Sequence, residues 1–303
     1  AASLNFRDLL ILKGGYRKQQ KLENLIPLSD GAGEIVALGA GVTDWKVGER
    51  VTGNFCPDWI GGEPDRNTLD TRPGKTEDGM LSELRVFPAH SLVKTPAHLS
   101  DVEAASLPCA ALTAWSAIVT LGRVEPGDLV LTQGTGGVSL FALQFAKLAG
   151  AEVIMTSSSD EKLARARDLG ADHLINYSAN SDWGRAALEI SGGRGVDHVI
   201  ELGGTQTLKQ SLMAVRPGGT VSMIGVLSGA TFGDILLTFV VSRQVRLQGV
   251  TVGSVQGMEA MCRAMALHGV KPVIDSVYPL AETAAAVAHL GAGRHFGKVC
   301  IEI

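Results

Sequence analysis

The sequence predicts a two-domain α/β protein in which an irregular β domain precedes a doubly wound parallel sheet. Three observations carry this prediction. The 303 residues exceed one ordinary domain and suffice for a large buried core. From Gly127 onward, apolar strand-like runs alternate with helical patterns, and parallel strands need such helices to return the chain. Before about Ser100, short apolar runs are instead broken by glycine and proline.

Near the start, "RDLLILKG" suggests a helix, and "GEIVALG", "ERVTG" and "LSELRVF" are expected as short strands. The stretch from Gly61 to Gly79 is rich in Gly, Pro, Asp and Thr and is expected as an exposed, mobile loop. Then come a strand at "DLVLTQ", a helix over Val138 to Ala149, a strand at "EVIMTS", a helix over Asp160 to Leu169 and a strand at "HLINY". Ser158 followed by Glu161 has capping-box spacing and marks the start of the second helix. A helix from Asp182, a strand at "VDHVIELGG", a helix from Thr205 and a strand at "GTVSMIGV" continue the alternation. A helix over Met258 to His268, a strand near Val273 to Val277, an alanine-rich helix and the strand "GKVCIEI" close the chain. The division expected is 1–108, 109–252 and 253–303, the last segment returning to the first domain. No internal repeat or low-complexity tract interrupts it.

Composition narrows the function classes. With 45% apolar and 19% charged residues and a net charge of −4, the chain is unsuited to gripping a polyphosphate, which argues against nucleic acid. The basic cluster "YRKQQK" has too few charges and no interleaved aromatics to change that. The longest apolar runs, such as "ILLTFVV", are too short to cross a bilayer, and Arg7 and Asp8 stand where a signal core would lie, so no membrane segment is expected. Cys56, Cys109, Cys262 and Cys300 are far apart with no CxxC spacing, consistent with reduced thiols and a cytoplasmic location. The first residue is not methionine, so the protein is expected to begin further upstream.

The segment "TQGTGGVS" carries the chemistry. A buried strand gives way to a helix there, so the helix-start N–H groups and the positive end of the helix dipole form an anion site. Gly134 permits the tight turn, Gly136 lets a pyrophosphate approach the backbone, and Ser139 is small enough at the third fingerprint position for close packing. Thr135, Gly137 and Val138 complete the turn as cofactor-binding candidates. At the end of the second strand an NAD-selective site places an acid on the ribose hydroxyls; this chain has Ser157. Serine can donate to a 2′-phosphate, and Lys162 and Arg165, one helical turn apart, can add charge, which favours NADP(H). The same two residues also suit a plain solvated helix face. Tyr177 suits either the adenosine end of the cofactor or a core plug.

These features, with "NFRD" (Asn5 to Asp8), "PLSDGAGEIVALGAGV", "KVGERV", "LPCAALTAW", "VIELGG" and "HFGKV" in order, make the chain resemble a zinc-independent member of the medium-chain dehydrogenase/reductase superfamily, close to the quinone oxidoreductase branch. The resemblance covers nearly the whole chain. It implies a GroES-like β domain, a Rossmann domain and a C-terminal return to the first, with further β structure ahead of "AASLNFRD". Zinc alcohol dehydrogenases of the superfamily carry a cysteine where this chain has Asn5 and a histidine where it has Ser29, and an amide with a hydroxyl would hold zinc poorly. No metal site is expected.

The resemblance implies hydride transfer from NADPH to a quinone or α,β-unsaturated carbonyl, acceptors whose own conjugation spreads the arriving charge so that hydrogen-bond donors suffice. Asn5 would donate to the substrate oxygen, Asp8 anchor its loop and Tyr16 stand at the substrate mouth. Thr113 would face the nicotinamide and Lys298 approach the pyrophosphate. The residues alone leave simpler readings open: Asn5 and Asp8 suit helix capping, and Tyr16 suits an ordinary loop. Two rival functions also stay open, an alcohol or aldehyde dehydrogenase of the same superfamily and a non-catalytic NADP-binding sensor or structural protein. The segment from Val226 to Val250 is more apolar than a solvent-facing sheet edge requires, and a homodimer is expected there.

Overall fold

The computed structural model describes residues 1–15, 23–235 and 237–303. The chain runs β1 (Ala2–Ser3), α1 (Phe6–Leu12), β2 (Asp30–Glu34), β3 (Arg50–Gly53), β4 (Leu92–Lys94), α2 (Asp101–Ala105) and α3 (Leu112–Trp115). It continues through β5 (Leu129–Gln133), α4 (Gly137–Leu148), β6 (Glu152–Ser157), α5 (Asp160–Asp168), β7 (His173–Asn176), α6 (Trp183–Ile190) and β8 (Val196–Glu201). Then follow α7 (Leu208–Ala214), β9 (Val215–Met223), α8 (Leu237–Ser242), β10 (Arg246–Gly249), α9 (Val255–His268), β11 (Ile274–Pro279), α10 (Thr283–Gly291) and β12 (Lys298–Glu302). Two compact units result, Ala1–Leu112 with Val252–Ile303, and Thr113–Thr251.

The second unit is a six-stranded sheet in the order β10-β9-β8-β5-β6-β7, parallel throughout. Every residue of β5 and β8 is buried, as expected of central strands covered on both faces. Leu131, Ile154, Val199, Leu212 and Val221 form part of its core. The strand order reverses between β5 and β8, the switch point at which doubly wound sheets open a crevice at their C-terminal ends. The glycine turn lies at that end of β5.

The first unit is a six-stranded sheet in the order β11-β12-β1-β2-β3-β4. Here β1 pairs antiparallel with both β2 and β12, Ala2 lying opposite Gly31 on one side and Ile301 on the other. Ala2, Leu4, Leu9, Leu28, Ala286, Leu290, Val299 and Ile301 share one apolar core. Residues from both ends of the sequence thus build a single sheet, and this sets Asn5 beside Lys298.

Several local expectations are corrected. "LSELRVF" forms no strand, and Leu84 and Val86 are exposed. In "GEIVALG" the strand stops at Glu34, beyond which Val36 and Leu38 meet solvent. The 61–79 loop is only partly exposed. Pro73, Gly74, Lys75 and Gly79 are buried, and Gly79 and Met80 donate from their backbones to Ile26 and Leu28. A Cβ on Gly74 or Gly79 would meet the Leu28 backbone within 2.8 Å, so side-chain-free residues are required for that approach. The cap of α5 is Ser159, one residue later than expected, its hydroxyl accepting from the Lys162 N–H at 3.3 Å. The helix expected from Thr205 begins at Leu208, because Thr207 turns its hydroxyl to the Glu201 carboxylate at 2.6 Å.

Candidate active site

In the second unit, Gly134 adopts φ +74°, a left-handed conformation that glycine reaches without strain, and its N–H donates to Thr156. Gly136 is the N-cap of α4 and is extended; having no side chain, it leaves the first-turn N–H groups of Gly137 and Val138 without a side-chain cap. Thr135 is buried, and the buried Ser139 hydroxyl donates to the Gln133 carbonyl at 2.6 Å, locking turn to strand. Bare N–H groups at a helix start form an anion cradle, and a pyrophosphate fits this donor set. At the end of β6, Ser157 is buried and its hydroxyl accepts from the Ser159 N–H. Tyr177 follows β7, donates from its backbone to the Ser157 carbonyl and is 41% exposed, which removes the core-plug reading. Lys162 and Arg165 lie on α5. Thr113 is buried within α3.

Sequence reasoning missed the support beneath this turn. Glu201, at the C-terminal end of β8, is 1% exposed, yet its carboxylate accepts from Gln133, Ser211, Thr207 and the N–H groups of Gly203 and Gly204. Gln133 in turn accepts from the Leu202 and Gly203 N–H groups at 3.1 Å. The residue preceding Gly134 therefore fixes the loop after β8 across the switch point. A carboxylate inside the apolar run "VIELGG" was the available signal, since such a group is buried only with its donors supplied.

In the first unit, Asn5 is the N-cap of α1 and Asp8 accepts from its backbone N–H at 2.7 Å, so the capping reading of this pair holds. Burial pushes the Asp8 carboxyl up to about 6; Arg7 opposes the rise and Asp30 adds to it. The Lys298 ammonium, expected to approach a pyrophosphate, is 3% exposed and donates to the Leu4 carbonyl at 2.7 Å and to Asn5 Oδ1 at 2.5 Å. Two of its three donors are thus engaged inside the first unit. Ser29 donates to Asp30 at 2.6 Å, and the other Asp30 oxygen accepts from the Cys109 N–H at 3.1 Å. Burial, with Asp30 beside it, pushes the Cys109 thiol far up, so it stays protonated and a poor nucleophile or metal ligand. Tyr16 lies outside the described residues.

These donors do not suit zinc. Asn5 Oδ1 faces an ammonium, Ser29 is committed to Asp30, and among the described residues no three His, Cys, Asp or Glu side chains gather to hold a metal ion.

Residues 1–97 match the family of alcohol dehydrogenase GroES-like domains and residues 137–267 that of zinc-binding dehydrogenases. A zinc-type alcohol dehydrogenase-like protein of Schizosaccharomyces pombe is 42% identical over 308 residues, spanning 100% of this chain and 89% of that protein. The chain belongs to the medium-chain dehydrogenase/reductase family. Its fold is therefore a GroES-like domain joined to a Rossmann-type parallel sheet, and its relatives are oxidoreductases dependent on a nicotinamide dinucleotide. Among other members, a 2-haloacrylate reductase of Burkholderia sp is 30% identical over 286 residues, covering 90% of this chain and 79% of that protein. The structure of a quinone oxidoreductase from Pseudomonas syringae pv. Tomato DC3000 superposes with a TM-score of 0.83 at 30% identity, covering 100% of this chain and 89% of that one. That of the 2-octenoyl-CoA carboxylase reductase CinF, in complex with NADP and 2-octenoyl-CoA, gives 0.87 at 27% identity, covering 99% and 77%.

Proposed function

We propose that this medium-chain dehydrogenase/reductase is an NADPH-dependent reductase of a quinone or α,β-unsaturated carbonyl, working without a metal. The observation that carries the reading is Asn5: its Nδ2 is buried and has no hydrogen-bond partner among the described residues, at the position where zinc relatives hold a metal ligand. A buried donor without an acceptor costs about 1–3 kcal/mol, a cost that an incoming carbonyl oxygen would remove. Such a donor stabilises charge developing on that oxygen.

The N–H groups of Thr135, Gly136, Gly137 and Val138 would hold the pyrophosphate, on a turn shaped by Gly134, whose own N–H is given to Thr156; Ser157 and Lys162 would hold the 2′-phosphate, Tyr177 the adenosine and Thr113 the nicotinamide. When bound, the dinucleotide supplies the hydride. Asp8 anchors the turn that carries Asn5, and Tyr16 is proposed as a donor or proton source to the substrate. The names of three relatives support the acceptor class: a haloacrylate, a quinone and an enoyl thioester carry conjugated or activated double bonds. The NADP complex of CinF supports the cofactor. We propose a cytoplasmic homodimer, the location supported by four cysteines without CxxC spacing. Phe232, Leu237 and Val241 in the expected dimer segment are more than half exposed.

The test titrates the protein with NADPH and NADH and then screens quinones, enones, aldehydes and alcohols for a change in nicotinamide absorbance. Oxidation of NADPH by quinones or enones, lowered in Asn5→Ala and Tyr16→Phe, is expected; turnover unchanged in both variants removes these residue assignments. A second reading, metal-dependent alcohol oxidation, is favoured by the name of the Schizosaccharomyces relative. Near-stoichiometric zinc in purified protein, with turnover abolished by a chelator, would establish it instead. NADPH binding without oxidation by any acceptor would leave a non-catalytic binding protein.

A further inference from the structure

We infer that Lys298 is a positioning residue that sets the Asn5 amide, turning its NH2 away from the ammonium so that the site takes substrates presenting an acceptor oxygen. The inference rests on the reading of Asn5 as donor to the substrate. An amide has two nearly isosteric ends, and nothing in its shape decides which one faces a ligand. An ammonium has donors only, so only Oδ1 can face it, and the 2.5 Å contact fixes that choice. The second Lys298 bond, to the Leu4 carbonyl, holds the ammonium itself against the backbone one residue before Asn5. With Asp8 on the Asn5 backbone N–H, both the main chain and the side chain of residue 5 are pinned, and Nδ2 alone is left without a partner among the described residues. Both side chains are more than nine-tenths buried, so water competes poorly for either end of the amide.

The contact joins residues 293 positions apart and exists because β12 pairs with β1, placing Lys298 next to the Leu4–Asn5 peptide. A site so arranged rejects a ligand whose corresponding atom is itself a donor, such as an amine, since two donors would face one another.

The experiment uses the full chain and its NADPH-dependent reduction of an enone or quinone. Lys298→Met should lower kcat about 10- to 100-fold, the range expected when a transition-state donor is misaligned and not removed outright. NADPH affinity, read by fluorescence titration, should stay within about twofold. Lys298→Arg, again a donor without an acceptor, should recover part of the loss. In an Asn5→Ala background, Lys298→Met should cost less than about twofold more, since the two act as one unit. Full multiplication of the two losses would overturn the inference, as would a tenfold weaker NADPH complex with kcat intact. If Asn5→Ala alone leaves turnover unchanged, the donor role of Asn5 falls, and with it the substrate half of the inference. The positioning half is judged separately by selective 15N-asparagine labelling. Side-chain NH2 exchange at Asn5 should accelerate at least about tenfold in Lys298→Met, and equal rates in the two proteins would overturn it.

Discussion

At the scale of single residues, cofactor choice turns on Ser157. Aspartate there would supply the carboxylate that suits ribose hydroxyls and repels a 2′-phosphate. Ser157→Asp is expected to lower the NADPH-to-NADH ratio of kcat/KM at least tenfold, roughly 1.4 kcal/mol, measured with one acceptor and both reduced cofactors. Asp8 carries a pH signature. Its carboxyl holds a proton up to about 6 in the fold against an ordinary 3.8, so between those values the folded chain binds more protons than the unfolded one. Stability from this residue is therefore present below about pH 4 and lost as pH climbs through 6, roughly 3 kcal/mol in all. Asp8→Asn should gain stability relative to wild type between pH 4 and 7.5 in urea unfolding, and a constant difference would refute the assignment. The pairing of Asn5 with Lys298 was beyond reading from sequence. No local pattern links residues 293 positions apart, whereas the Asn5–Asp8 cap, its partners three positions apart, was visible as an alternative from the start.

At the scale of elements, the second unit was legible because short apolar-rich strands alternate with helical patterns, as at "LVLTQ" and "EVIMTS", even though β8 buries Asp197, His198 and Glu201 among its apolar residues. The first unit was less so: "LSELRVF" has strand composition but no strand beside it, and composition does not report pairing partners. The shift of a cap from Ser158 to Ser159 has the same origin, since adjacent serines are equivalent until the strand's exit angle selects one. Within the parallel sheet, Asp197 joins three strands at their N-terminal ends. It accepts from the Leu129 N–H on β5 at 2.8 Å, from Arg216 on β9 and from Arg194 just before β8. Burial alone would raise this carboxyl, but those bonds hold it well below the ordinary carboxylate range. Asp197→Asn should cost about 2 kcal/mol near neutrality, less than a fully buried ion pair because both arginines reach water. A group so depressed stabilises above its unfolded pKa, so the gap between variant and wild type should narrow as pH falls below about 4. Guanidinium unfolding at pH 7 and pH 3 checks both statements.

At the scale of the whole molecule, assembly is expected through the second unit. On α8, which precedes edge strand β10 in the chain, Phe239 and Val240 pack against the sheet's core, while Leu237 and Val241 are 69% and 74% exposed. Replacing Leu237 and Val241 together by lysine should convert a dimer to a monomer in light scattering at micromolar concentration; wild-type protein already monomeric under those conditions would refute the dimer. The overall plan was visible in the order of motifs, and the return of the last strands was expected, but the register that seats Ile301 opposite Ala2 was not, because short strands carry too few residues to specify pairing. The same return has a consequence for biogenesis. All of 113–251 leaves the ribosome before β12 has been translated, so that unit can mature while β1 still has one open edge. A nascent chain stalled after Thr251 would carry a finished parallel sheet behind an N-terminal strand with bare backbone amides, the surface on which chaperone capture and aggregation compete.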